Sequence, residues 1–190
     1  MDKKKDEVEM FVAGLVMDPD SNAPIVILKD EQNDEGLPIW IGVSEASSIA
    51  AALKQVDLAR PLTHDLLKNV IDEFQGRVLK VVIHDLEENT FIAAIEILSG
   101  EVVKRIDSRP SDAIALAIRV NAPIFVAQAV LEQAKIKIIT DPEDESDSDA
   151  KEPAVERDYS AEDRNFKTID KDKWAKILEG MEPNDFKYKM

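Results

Sequence analysis

The chain of 190 residues contains no cysteine. That excludes disulfides, thiolate metal sites and cysteine nucleophiles, and it suits a reducing compartment. Aromatic residues make up only 5%, so the 44% of hydrophobic residues must build a mostly aliphatic core. Bases are scarce beside acids: 24 Lys and Arg stand against 39 Asp and Glu, a formal net charge of -15. Such a surface repels nucleic acid at long range, so any nucleic-acid partner needs a local basic site or bound cations. No apolar run reaches membrane-spanning length. The charged start Met1-Asp2-Lys3-Lys4-Lys5-Asp6-Glu7 is not followed by an apolar stretch of the secretory type, so a cytoplasmic protein with no membrane partner is expected. Also missing are the glycine-rich nucleotide loops, H-E-x-x-H, G-x-S-x-G, a calcium-loop spacing and a basic, aromatic RNA-binding stripe.

The remaining pattern reads as one folded unit over residues 7–140. Val8, Met10 and Val12 alternate with polar neighbours as a half-buried strand does. Asp18-Pro19-Asp20-Ser21-Asn22 is turn chemistry, and residues 25–28 and 37–41 form two further strands around a polar loop. Ser44 is a cap for a helix reaching residue 54, with Ile49 and Leu53 on one face. Thr63 is a cap for a second, where Leu66, Leu67, Val70, Ile71 and Phe74 keep helical spacing and Gly76 supplies the stop.

Strands follow at 78–83, at the alternating Phe91, Ala93, Ile95 and Ile97, and, after the turn Ser99-Gly100, at 102–106. A third helix opens on Pro110, which suits a first helical position, and runs to about residue 120. A strand at 123–126 and a short helix around 130–134 complete the unit. Strand pairs with short turns, interrupted by helices, predict an α+β fold: a mixed, mainly antiparallel sheet with three main helices, plus an acidic C-terminal tail. Residues 141–163 hold eleven acids against two bases and are expected to be a disordered linker. In 164–190 a short helix carries Trp174, Ile177 and Leu178, long enough beyond the linker to cross to a neighbour, and a homo-oligomer, most simply a dimer, is expected.

Two polar clusters stand at helix starts. In Asp107-Ser108-Arg109-Pro110-Ser111-Asp112 the bend between strand and helix can converge two carboxylates, which with Glu45 would suit Mg²⁺ or Mn²⁺, or Arg109 can clamp a phosphate. In Arg60-Pro61-Leu62-Thr63-His64-Asp65 the imidazole is a candidate general base or ligand, and Arg60, extended before its proline, can reach a neighbouring element. The alternative is structural: capping by Ser111 and Thr63, favourable helix-dipole contacts for Asp112 and Asp65, and an Arg109–Asp107 pair. His84 reads as structural or exposed, and Arg119 as a partner for an acid or a solvent-facing residue.

Leu37-Pro38-Ile39-Trp40-Ile41-Gly42, Glu45-Ala46, Arg60-Pro61-Leu62-Thr63-His64-Asp65-Leu66 and Ile106-Asp107-Ser108-Arg109-Pro110-Ser111-Asp112-Ala113-Ile114-Ala115-Leu116-Ala117, in this order, resemble the bifunctional nuclease domain family of bacteria and plants. The resemblance covers about residues 8–131. It implies an α+β domain and hydrolysis of both RNA and DNA with low sequence specificity. It makes His64, Asp65, Asp107 and Asp112 candidate catalytic residues and Arg60, Thr63, Arg109 and Ser111 candidate substrate contacts. Asp107, Asp112 and Glu45 become candidate ligands of a divalent Mg or Mn ion. The tail is not the paired-helix module that some members carry. A second class of function, a non-catalytic oligomeric binding or regulatory module whose polar clusters only fix helix starts, stays open.

Overall fold

In the computed structural model, residues 7–19, 21–30, 35–56, 59–139, 154–156 and 167–168 are described. They form ten strands: β1 (Glu7–Met17), β2 (Pro24–Asp30), β3 (Glu35–Trp40), β4 (Gly76–Glu87), β5 (Thr90–Ser99), β6 (Val102–Ser108), β7 (Ile124–Ala127), β8 (Ile136–Ile139), β9 (Ala154–Glu156) and β10 (Lys167–Thr168). Four helices accompany them: α1 (Val43–Leu53), α2 (Thr63–Glu73), α3 (Pro110–Val120) and α4 (Gln128–Ala134). The strands make one sheet in the order β6-β5-β4-β7-β1-β2-β3-β8-β9, with β10 paired to β1. Only β4 and β7 run parallel; the other pairs are antiparallel.

The mixed, mainly antiparallel α+β arrangement therefore stands with four helices, and the expected three is corrected. The fourth, α4, is an integral part of the core: Val130 and Leu131 are buried in it. Only two of its seven residues, the adjacent Val130 and Leu131, are large and apolar, too few to display a 3.6-residue period, so α4 reads from the sequence as a short helix beside the three main ones. The expected linker 141–163, apart from β9, and the segment 164–190 with Trp174, Ile177 and Leu178, apart from β10, lie outside the described residues.

Helices α1 and α3 cover one face of the sheet. Side chains alternate between faces along a strand. Met10, Val26, Leu28, Ile39, Val81, Ile83, Ala93 and Ile95 thus meet Ile49 of α1 and Ile114 and Leu116 of α3 in one aliphatic core. Val16, Ile25, Ile27 and Ile136 form a smaller cluster. Helix α3 is buried over most of its length, which explains its unbroken Ala-Ile-Ala-Leu-Ala run: small residues let it lie between α1 and α2.

Helix α2 is different. Its apolar stripe faces largely outward, with Leu66 56% and Phe74 78% exposed, while Ile71 packs onto the core. Its stop is also displaced from the expected glycine. Gln75 takes the left-handed conformation at φ 56°, and Gly76 already opens β4. The glycine is there for closeness, since a Cβ would come within 3.1 Å of the Ile71 carbonyl oxygen and 3.3 Å of Ile97 Cγ2.

Candidate functional site

Three helix starts meet on the core face. Helix α1 begins after Gly42, α2 after Leu62 and α3 after Arg109, and each preceding residue is extended. Ser44, Thr63 and Ser111 therefore sit inside their helices rather than capping them. Glu45 takes the third position of α1. A Cβ on Gly42 would lie 2.2 Å from Glu45 Oε2, so the missing side chain leaves room for that carboxylate to fold back over the helix start. In α2 the third position is Asp65, whose Oδ2 accepts the Leu62 N–H at 2.8 Å. Pro110 takes the first helical position of α3, as its missing N–H allows.

Two polar clamps join these starts. In the first, His64, only 9% exposed, bridges α1 and α3. Its Nε2 lies 3.1 Å from Asp112 Oδ1, and its Nδ1 lies 2.8 Å from Ser48 Oγ. A carboxylate only accepts, so the neutral imidazole carries its proton on Nε2 and offers the Nδ1 lone pair to the Ser48 hydroxyl. Arg109 extends the chain, donating from Nε to Asp112 Oδ2 at 2.7 Å and from Nη2 to Asp112 Oδ1 at 3.2 Å, with Nη1 3.0 Å from Glu45 Oε1. In the second clamp Arg119, almost wholly buried, donates to Asp65 Oδ1 at 2.5 Å, to the Ala115 carbonyl at 2.9 Å and to the Ser48 carbonyl at 3.2 Å.

Burial pushes the Asp112 carboxyl up. The hydrogen bonds from Arg109 and His64, with their charges, outweigh it and hold Asp112 below the ordinary carboxylate range. At Asp65 burial is likewise overcome, by the Arg119 and Leu62 hydrogen bonds and the neighbouring positive charge. Hydrogen bonding to Asp112 and the charge of that carboxylate raise Arg109. The two depressed acids couple stability to pH. Each is less easily protonated in the folded than in the unfolded chain, so its contribution is complete above the unfolded value of about 3.9 and is lost as pH falls through the lower folded value. Urea unfolding between pH 7 and pH 3 should show this loss beginning near pH 4, with a shallower acid limb in Asp112→Asn. Parallel acid limbs would contradict it.

The expected site residues divide accordingly. Asp112, His64, Arg109 and Glu45 come together, Asp65 joins through Arg119, and the buried Ser111 lies beside them. Thr63 is exposed at the α2 start, and Arg60 is exposed on the preceding loop with no described hydrogen bond or ion pair. Asp107 stands apart. It pairs with Ala94 across β5, and Ala94 with Val82 across β4, so it belongs to the sheet face opposite that of Ile95 and Ile106, which carries the helices. Among the described residues no group of three or more His, Asp or Glu side chains is placed to hold a metal ion. Asp112 and Glu45 converge instead on the Arg109 guanidinium. Ser48 went unnoticed in the sequence because it sits in a run of small residues, although its spacing of three from Glu45 puts both on one helical side.

Arg109, Glu45 and Ser111 also line a cleft of about 400 Å³, with Ile39, Asn89 and Phe91 among its other walls. Its size is within the range of small-molecule sites, about 300–1,000 Å³. The cleft leads from the β4–β5 turn to the first turns of α1 and α3, where peptide N–H groups favour an anion. No described helix is long and apolar enough to cross a membrane.

Residues 26–139 match the family described as bifunctional nuclease domain. An uncharacterized protein of Mycobacterium tuberculosis is 35% identical over 179 residues, 94% of this chain and 98% of its own length. Bifunctional nuclease 2 of Oryza sativa subsp. japonica is 31% identical over 111 residues, 56% of this chain and 34% of its own. Bifunctional nuclease 1 of Arabidopsis thaliana is 31% identical over 108 residues, 54% of this chain and 33% of its own.

Proposed function

We propose, from the premise that this chain belongs to the bifunctional nuclease domain family, that it hydrolyses phosphodiester bonds of RNA and DNA with low sequence specificity. The observation that carries the reading is the Ser48–His64–Asp112–Arg109 chain, whose Arg109 end lines the cleft. Arg109, with a side chain 66% exposed, turns from its acidic partners to grip the phosphate and stabilise its developing charge. Asp112 orients His64 and supports its positive form. His64 Nδ1 takes a proton from water through the Ser48 hydroxyl, and the water oxygen bonds to phosphorus as the bond to the leaving oxygen breaks. The proton held by His64 returns through Ser48 and solvent to that oxygen, which leaves as an alcohol. Arg60 and Thr63, at the exposed start of α2, contact substrate beyond the cut bond. The net charge of -15 opposes extended binding, so affinity is weak and salt-sensitive.

The test is cleavage of end-labelled RNA and DNA oligonucleotides by highly purified protein, with Mg²⁺, with Mn²⁺ and with EDTA, so that the same assay shows whether a divalent ion takes part. Arg109→Ala should raise KM with a smaller change in kcat if the guanidinium holds phosphate. An unchanged KM would remove Arg109 from the proposal. One observation favours the second reading, a non-catalytic oligomeric binding or regulatory module. Both ring nitrogens of His64 and the carboxylates of Asp65, Asp112 and Glu45 already have partners, as a purely structural clamp requires.

A further inference from the structure

We propose that β6 is a self-complementary edge through which two copies of this chain join their sheets. It pairs antiparallel with β6 of the second copy about a two-fold axis at Ile106. Among the described residues β6 pairs only with β5 and ends the sheet order. Its residues from Val102 to Asp107 are all exposed, including Val102 at 59%, Val103 at 52% and Ile106 at 47%. It carries no proline. An exposed seven-residue edge with three apolar side chains, Val102, Val103 and Ile106, presents unpaired backbone groups to another strand unless something covers it, and its charges, Lys104, Arg105 and Asp107, admit only a strand of matching pattern.

The sequence of the strand selects the occupant and the register. Directly opposed residues in an antiparallel pair share a sheet face, so a two-fold pairing must centre on a residue rather than between two. Centred on Lys104 or Arg105, the pairing sets that cation against itself. Centred on Asp107, it sets two carboxylates together. Centred on Ile106, it places Ile106 on Ile106, Arg105 opposite Asp107 of the second copy, and Asp107 opposite Arg105, while Lys104 meets Ser108. Both faces are then matched: Ile106 on the helix-bearing face, Arg105 and Asp107 on the other. Asp107 thereby gains a cationic partner across the two-fold axis.

The exposed stripe of α2 adds to the same side. The last turn of α2 lies against Gly76 and Ile97, and Ile97 pairs with Lys104 of β6, so this end of the helix stands one strand in from the edge. With the axis normal to the sheet, both copies carry their helices on one face. Val70 and Phe74, 44% and 78% exposed, then stand where the second copy approaches. The proposal does not depend on nuclease activity.

The test is the mass of the full chain in light scattering at micromolar concentration, for wild type, Arg105→Asp, Asp107→Arg and the double variant. The wild type should show twice the 21.2 kDa chain mass. Each single change sets like charges opposite one another twice and should weaken association by about tenfold or more. The double variant swaps the two charges along one strand and should restore the dimer. The chain has no cysteine, so Ile106→Cys gives a clean second readout: a short bis-maleimide should join two chains. A monomeric wild type, with the edge covered by residues 169–190 or by nothing, overturns the proposal. So do single variants that associate normally, a double variant that stays dissociated, or a dimer that Ile106→Cys does not cross-link.

Discussion

Asp112→Asn should lower nuclease turnover by roughly 10²- to 10⁴-fold while moving stability by only about 1 kcal/mol. The two effects separate because of where the carboxylate lies. Its ion pair with Arg109 is half-exposed and the arginine reaches solvent, so screening keeps the pair's contribution small. Its bond to His64 has a different consequence. An amide can present N–H to Nε2, which moves the imidazole proton to Nδ1 and removes the lone pair that receives the Ser48 hydroxyl. The size and shape of the site stay the same and the tautomer changes. If the cluster serves only to fasten helices, the outcome inverts: the melting temperature falls and whatever cleavage exists persists.

Arg119→Ala should be the most destabilising change among the polar residues of the site, by about 2–3 kcal/mol, or a melting temperature lower by about 5–10 °C. The Arg119 side chain is 7% exposed and ties three helices together, through Asp65 of α2, the Ala115 carbonyl of α3 and the Ser48 carbonyl of α1. Its removal leaves buried acceptors without a donor and creates a cavity beside them. The loss stays below the roughly 3–5 kcal/mol of a fully buried pair because Asp65, 37% exposed, regains water. Arg119→Met keeps the aliphatic packing and should recover part of it. Equal losses in both variants would assign the effect to the hydrogen bonds alone. A change under about 0.5 kcal/mol in Arg119→Ala would show that the second clamp does not hold the helices.

Much of this arrangement was legible along the chain. Pro110 and the apolar run after it marked α3 from its first residue to about residue 120, and the alternation from Phe91 to Ile97 with Ser99-Gly100 marked the β5–β6 hairpin. His64 of one polar cluster reaches Asp112 of the other, while Thr63 and Asp107 stand away from that contact. Hidden were the features that depend on packing between elements. The pleat of β6 separates Asp107 from Asp112 although only five positions divide them. Ser48 matters only because α1 lies beside α3. Glu45 and Asp65 at third helical positions, rather than Ser44 or Thr63 as caps, handle the helix starts, a choice settled by one-residue shifts that propensity does not resolve. The apolar residues of α2 keep helical spacing as expected yet are largely exposed; periodicity reports a face, and not which neighbour covers it.

The central claim is that the polar cluster at the three helix starts performs phosphodiester hydrolysis. It is tested most directly by following cleavage of labelled RNA across a gel-filtration peak, for wild type and His64→Gln purified side by side. Glutamine keeps a side chain of similar reach between Ser48 and Asp112 but cannot shuttle the proton. The account predicts activity that tracks the wild-type protein peak fraction by fraction and disappears from a folded His64→Gln peak of the same mass. Activity that elutes away from the protein, or equal activity in the two peaks, would contradict it.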